Sequence, residues 1–167
     1  MLYLCILFLY LDQEFRINTP DSVYDPKYIV LTNLAKTITS HQFITFKVKA
    51  CHDAYIGLIA GDTVTSQLYE IVIGAFGNTK SVIRTAQQQI PAARTVSGGQ
   101  FVHCQLYKQF WISWTYSTIK IGKGMSRNNL MFITLSKRNG LNPINNIAIY
   151  TGFGSTGEWV FYKAGIV

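Results

Sequence analysis

Carboxylates are scarce in this chain, and from Ile71 to Gly157, about half its length, there are none. Any enzyme chemistry built on side-chain acids must therefore draw on Asp12, Glu14, Asp21, Asp25, Asp53, Asp62, Glu70 or Glu158. Cysteine is rare as well, and three residues cannot make a disulfide scaffold. Cys5 sits in an apolar run, which leaves Cys51 and Cys104 either as one bridge or as two buried free thiols. No N-x-S/T sequon occurs, so glycosylation says nothing about compartment. Helical periodicity is missing too: no convincing amphipathic stretch of ten residues appears. The apolar run MLYLCILFLYL, residues 1–11, falls short of the roughly 20 residues a spanning helix needs, so no membrane span is expected. Its length suits the core of a secretory signal, yet it lacks a basic leader and DQEFR offers no small-residue cleavage site. The run is therefore either a signal remnant or a first strand.

The residues present point to strands. Hydrophobic residues make up 49% and aromatics 14% of 167 residues, enough for one well-packed domain and too much for a disordered chain. FITFKVKA (43–50) alternates, with Ile44, Phe46, Val48 and Ala50 on one face. AYIGLIA (54–60), QLYEIVIGAF (67–76), SVIRT (81–85), QFVHCQLY (100–107), QFWISWTY (109–116), TIKIGKG (118–124), LMFITLS (130–136), IAIYT (147–151) and EWVFYK (158–163) read as further strands. Short glycine-rich turns separate most of them, and AQQQIPAARTVSGG (86–99) reads as a long connection. This pattern predicts an all-β fold: a single antiparallel, jelly-roll-like β-sandwich spanning residues 19–167, behind an apolar leader-like segment at 1–18.

The net charge of +7 is unevenly spread. Nine basic residues, including Lys80, Arg84, Lys123 and Arg127, fall in the acid-free half and would attract an anionic surface or form a solvated face.

Several short motifs imitate catalytic signatures. Gly152, Gly154 and Gly157 satisfy G-x-G-x-x-G, but only ten residues follow, EWVFYKAGIV, and they alternate as a strand. A phosphate-binding loop needs a helix there and an acid about 20 residues on, so a wide hairpin loop is expected instead. GFGSTG places Phe153 where a nucleophile elbow needs glycine, and STIK (117–120) lies on a strand or hairpin rather than at a helix start. The pairs Cys51–His52 and His103–Cys104 invite a zinc reading, but neighbours on a strand face opposite ways and no C-x-x-C spacing accompanies them. Within QFWISWTY, Phe110, Ile112, Trp114 and Tyr116 share one face, while Trp111, Ser113 and Thr115 share the other. Trp111 is then either core or a stacking platform for sugar or lipid. Aromatics interleaved with bases also suit single-stranded nucleic acid, but no recognised nucleic-acid motif is present and that partner is disfavoured.

Four ordered blocks, FITFKVKACHDAYIGLIAG, YEIVIGAFGNTKSVIR, QFWISWTYSTIKIGKG and YTGFGSTGEWVF, resemble the farnesoic acid O-methyltransferase-like domain family from about Thr19 to Phe161. Matching positions include Asp53, Glu70, Asn78, Arg84, Trp111, Gly122, Gly157 and Trp159. The family's Asp-Gly-like turn after the second tryptophan is replaced here by TYSTIKIG. The family name implies methyl transfer from S-adenosylmethionine to farnesoic acid, with a base such as Arg84 holding the substrate carboxylate. The family's presence in animal extracellular and immune-related proteins implies a binding role instead.

Nothing in the residues supplies a recognisable cofactor pocket, so the expectation is a non-catalytic, extracellular recognition module without a cofactor. Its loops would present Asn78, Arg84, Lys123 and Arg127, with Trp111, to an anionic glycan, a lipid headgroup or a protein partner. Trp111, Trp114 and Trp159 would anchor the core.

Overall fold

The computed structural model describes residues 14–22, 27–34, 40–65 and 67–162; the apolar run 1–11 lies outside the described residues. Strand β1 is Glu14–Thr19, β2 Ile29–Val30, β3 Phe43–Ala50, β4 Ala54–Ile59, β5 Tyr69–Gly74 and β6 Lys80–Arg84. Strand β7 is Arg94–Ser97, β8 Lys108–Trp114, β9 Thr118–Lys123, β10 Met131–Ser136, β11 Asn146–Thr151 and β12 Gly157–Tyr162. They form two antiparallel six-stranded sheets, in the orders β1-β12-β3-β8-β9-β10 (sheet A) and β2-β11-β4-β5-β6-β7 (sheet B). The fold is the expected jelly-roll-like β-sandwich. No helix among the described residues is long and apolar enough to cross a membrane.

The core lies between the sheets because alternation sends one set of side chains inward from each. Ile44, Phe46, Val48 and Ala50 of β3 meet Ile56, Tyr69, Ile71, Ile83 and Ile147 of sheet B in one cluster. Phe46 is its aromatic hub, with ring centroids 5.8 Å from Phe110, 5.9 Å from Trp159 and 5.4 Å from Phe161. Trp114 and Trp159 belong to this cluster, and Trp159 Nε1 donates to Thr19 Oγ1 at 2.9 Å. Strands β4, β5 and β11 are buried along their whole length, so both faces of central sheet B are covered.

Four local expectations are revised. Residues 100–107 form a loop rather than a strand, because their amides bond to side chains. Asn78 Oδ1 accepts from Phe101 N and Val102 N at 3.0 and 3.1 Å, and His103 Nδ1 accepts from Gln105 N and Leu106 N at 3.0 and 3.2 Å. The 86–99 connection contains β7, an edge strand paired with β6. The glycine-rich loop 152–156 does not close a hairpin: β11 pairs with β2 and β4 while β12 pairs with β1 and β3, so the loop crosses between sheets. The strand β1 begins at Glu14 and pairs with β12, five residues ahead of the boundary expected at 19. The turn without Asp-Gly still forms, closed by Thr115 N donating to Thr118 O at 2.9 Å.

One end of the sandwich collects the turn 51–53, the turn 75–79, and the loops 98–107, 124–130 and 152–156. Register places them together: Ala50 pairs with Gly157, Ala54 with Ile73 and Thr151, and Val48 with Lys108. Cys51 and Cys104 are bonded to each other here, tying the first of these turns to the 98–107 loop.

Candidate functional site

On the sheet B side of this end lies a cleft of about 440 Å³, lined by His52, Asp53, Tyr55, Ala75, Phe76, Gly77, Arg84 and Phe153. Tyr55 forms its floor: the residue is buried and its ring stacks on Tyr150 with centroids 4.0 Å apart. Phe76 and Phe153 stand on opposite loops and are 62% and 50% exposed. Phenylalanine so exposed gives up the burial that normally stabilises it by about 1.5–3 kcal/mol. Phe153 lies 6.3 Å from Tyr55 between ring centroids, and Lys80 Nζ sits 5.3 Å from the Phe76 ring.

Backbone strain marks the same place. Asp53, Phe76 and Phe153 have φ of 52°, 54° and 57°, left-handed values that a side-chain-bearing residue holds at a cost of order 1–3 kcal/mol each. Surrounding bonds impose these conformations. Asp53 N donates to Gly74 O at 3.0 Å, Ser155 Oγ accepts from Cys51 N and His52 N at 3.1 and 3.3 Å, and Gly154 N donates to Asp21 Oδ1 at 3.0 Å. Two glycines of the 152–157 motif have packing duties too: a Cβ would stand 2.5 Å from Ser22 O on Gly152, and 2.6 Å from Thr19 Oγ1 and from Trp159 Nε1 on Gly157.

Besides the Tyr55 hydroxyl, the polar side-chain groups lining the cleft are one carboxylate, one imidazole and one guanidinium. His52 Nδ1 lies 2.8 Å from Asp53 Oδ2. Burial holds the Asp53 carboxyl above the ordinary carboxylate range, against the opposing pull of His52 and Arg84. Arg84 Nη1 donates to Glu70 Oε2 at 2.6 Å, beneath the surface. Glu70 is fully buried and also accepts from Tyr28 OH at 2.8 Å and Gln88 N at 3.0 Å. Burial alone would lower the Arg84 pKa; the hydrogen bond and charge of Glu70 outweigh it and raise the guanidinium above its usual value. Burial, followed by the nearby Glu70, pushes the Tyr28 hydroxyl far up, so it stays protonated and donates.

The residues expected to bind do not form a single site. Arg84 lines this cleft, but its charge is matched by Glu70. Asn78 is structural at the cleft's back: besides accepting the two amides of the 98–107 loop, its Nδ2 donates to Val102 O at 2.8 Å. Lys123 lines a second cleft of about 330 Å³ with Gln100, Phe101, Tyr107, Lys108, Gln109, Phe110 and Gly124. Arg127 donates to the carbonyl of His41 at 3.0 Å and stacks 4.5 Å over Phe43. Trp111 is fully buried on the outer side of sheet A, where its Nε1 donates to Asn129 O at 2.7 Å. Its indole lies across the cross-strand partner Gly122, where an added Cβ would collide with the ring. Trp111 therefore offers no free face for stacking. Of the other lining residues, the sequence singles out His52, Asp53 and Phe153 only in other roles, and Tyr55 and Phe76 not at all. The available signal was a phenylalanine set beside glycine in two turns, AFGN and GFGS, where burial is hardest to arrange.

Among the described residues, no group of three or more His, Cys, Asp or Glu is placed to hold a metal ion. Cys51 and Cys104, the thiols of the zinc reading, are joined in the disulfide.

This architecture belongs to the two-sheet, jelly-roll type. The exoplasmic/lumenal domain of VIP36, in a Ca2+/Man3GlcNAc-bound form, matches with a TM-score of 0.52 at 7% identity, covering 93% of this chain and 82% of that one. A β-glucanase of Bacillus licheniformis matches with a TM-score of 0.50 at 12% identity, covering 91% and 79%. A lichenase derived from a mouse hindgut metagenome matches with a TM-score of 0.50 at 8% identity, covering 90% and 79%. At such identities the likeness concerns the fold alone. No curated protein sequence matches the chain. The model of the farnesoic acid O-methyl transferase family matches residues 22–164, and the chain belongs to that family.

Proposed function

We propose that this protein is a non-catalytic recognition module that binds a saccharide in the cleft between Phe76 and Phe153. The observation that carries this reading is the coincidence of three left-handed residues, two of them exposed phenylalanines, around one cleft that holds a carboxylate and an imidazole. Sugar rings have an apolar face of C–H bonds and a rim of hydroxyls. Aromatic rings take the first, and Asp53 with His52 takes the second through paired hydrogen bonds. The similar folds support the reading, since they include glucanases and a domain solved with Man3GlcNAc. The Cys51–Cys104 disulfide supports an extracellular or secretory setting.

The residues of the cleft do not match the S-adenosylmethionine that the family name implies. Its sulfonium and ammonium cations call for several free acceptors, whereas the cleft lining offers one carboxylate, Asp53, which already faces His52.

The test is calorimetric titration with a panel of neutral oligosaccharides, comparing the unaltered protein with Phe76→Ala/Phe153→Ala. Loss of both phenylalanines weakens binding by roughly tenfold or more, about 1.4 kcal/mol, while the fold, followed by circular dichroism, is kept. Unchanged affinity in the variant, or S-adenosylmethionine binding coupled to turnover of farnesoic acid, refutes the proposal.

A further inference from the structure

The second cleft, around the 98–107 loop, carries chemistry that the saccharide cleft lacks. Lys108 and Lys123 both line it, with the amides of Gln100 and Gln109 and the ring of Tyr107. The two lysines come from adjacent strands, since Val48 pairs with Lys108 and Phe110 with Lys123 across β3, β8 and β9. Two more ammonium groups stand behind Tyr107: Lys47 Nζ is 5.3 Å and Lys49 Nζ 5.4 Å from its ring centroid. Against these four cations stands one carboxylate, Glu158, which binds Lys49 at 2.6 Å and accepts from Tyr107 OH at 2.9 Å. Among the described residues, no carboxylate lies within 4.0 Å of Lys47, Lys108 or Lys123.

The walls of this cleft are fixed rather than loose. Asn78 bonds the amides of Phe101 and Val102, the Cys51–Cys104 bond holds the middle of the loop, and Glu158 positions Tyr107. Gly124 N donates to Gln109 O at 2.9 Å, closing the opposite side. Two lysines from adjacent strands lining one concave site, without a carboxylate partner, suit a compact oxyanion of high charge density. A planar carboxylate would instead favour the fork of an arginine, and no arginine lines the cleft.

We propose that this cleft is a second binding site, taking a tetrahedral oxyanion, and that its ligand is a sulfate or phosphate ester carried on a saccharide. Only the saccharide part rests on the function proposed above; the oxyanion site stands on its own residues. Both clefts lie at the same end of the sandwich: the first is lined from the turns 51–53 and 75–79, the second from the 98–107 loop, which the Cys51–Cys104 bond and Asn78 tie to those turns. A substituted oligosaccharide is thus met by aromatic rings on one side and ammonium groups on the other.

The test uses inorganic sulfate and phosphate as probes, with the backbone amides of Gln100 and Gly124 followed by NMR, and a sulfated oligosaccharide alongside its desulfated counterpart. Both ions shift the two amides saturably, and the sulfated sugar binds more tightly than the desulfated one. Lys108→Gln/Lys123→Gln removes the ion response and weakens the sulfated sugar by about tenfold or more. Phe76→Ala/Phe153→Ala leaves the ion response intact, which separates this proposal from the one above. A control pair at the far end of the sandwich, Lys137→Gln/Arg138→Gln, removes the same charge and leaves the affinity unchanged. The proposal is overturned if the control pair weakens binding equally, or if sulfation makes no difference. It is also overturned if the lysines bind vesicles containing phosphatidylserine while the sulfated sugar does not bind.

Discussion

The two outer faces of the sandwich treat charge in opposite ways. On sheet B, Glu70 and Arg84 face each other in register and lie under a cover of Tyr28, Tyr55 and the 86–92 loop. On sheet A, Lys47, Lys49 and Glu158 meet solvent on aromatic rings. The buried pair exists to satisfy itself and holds the cleft floor in place. The exposed charges gain little from each other and remain available to a ligand. Net charge therefore counts two populations with different roles, and only the exposed one is free to act at a distance.

Substituting one partner of the buried pair gives the largest effect on that contrast. Arg84→Met leaves the buried Glu70 without its counter-charge and costs about 3–5 kcal/mol; Arg84→Met/Glu70→Gln, which keeps acceptors for Tyr28 and Gln88, recovers most of the loss in urea unfolding. If the single variant costs no more than a surface substitution, the two faces do not differ as described. Trp111→Ala tests a place where sheet A buries a large side chain outward, and loses about 3–5 kcal/mol through the cavity left over Gly122. Asp53→Asn probes the edge of the buried face. Because burial raises the Asp53 pKa, the native fold is relatively favoured while this carboxyl is protonated, and the contribution is lost as pH rises through the folded-state pKa. Asp53→Asn therefore gains stability relative to the unaltered protein as pH rises through that point, and the gain vanishes in acid below the ordinary carboxylate range. Each pKa unit of elevation corresponds to about 1.4 kcal/mol, and a thermal melting series against pH reads it directly. Smallest of all, Lys49→Ala barely moves the melting temperature, and high salt erases even that difference, as suits an exposed pair.

Much of the fold was legible because alternation maps directly onto burial wherever one side of a strand is wet. FITFKVKA shows this: its inward set is the apolar set. Strands β4 and β11 were legible for the opposite reason, as short apolar runs buried on both faces. QFVHCQLY misled because apolar residues also line an ordered loop, when Asn78 and His103 supply its hydrogen bonds. The hairpin expected at GFGSTG misled because a glycine-rich turn records that the chain bends, not which sheet it enters next.

The candidate site was less legible still. Its left-handed residues come from three separate turns, and none of Asp53, Phe76 and Phe153 carries a local signature of meeting the others. Arg84 was noticed for its charge, yet its role depends on Glu70, which lies opposite it only once β5 and β6 pair.

By itself the sequence determined the class of fold, the aromatic centre of the core and the family, since these follow from local patterning and from the order of four blocks. Only the tertiary structure decided which charges are spent inside the protein and which face solvent. It also decided that the best imitation of a phosphate loop is the wall of an aromatic cleft. Those outcomes depend on which distant residues share a surface, and that is fixed by strand pairing and by the crossing of loops between sheets rather than by neighbours along the chain.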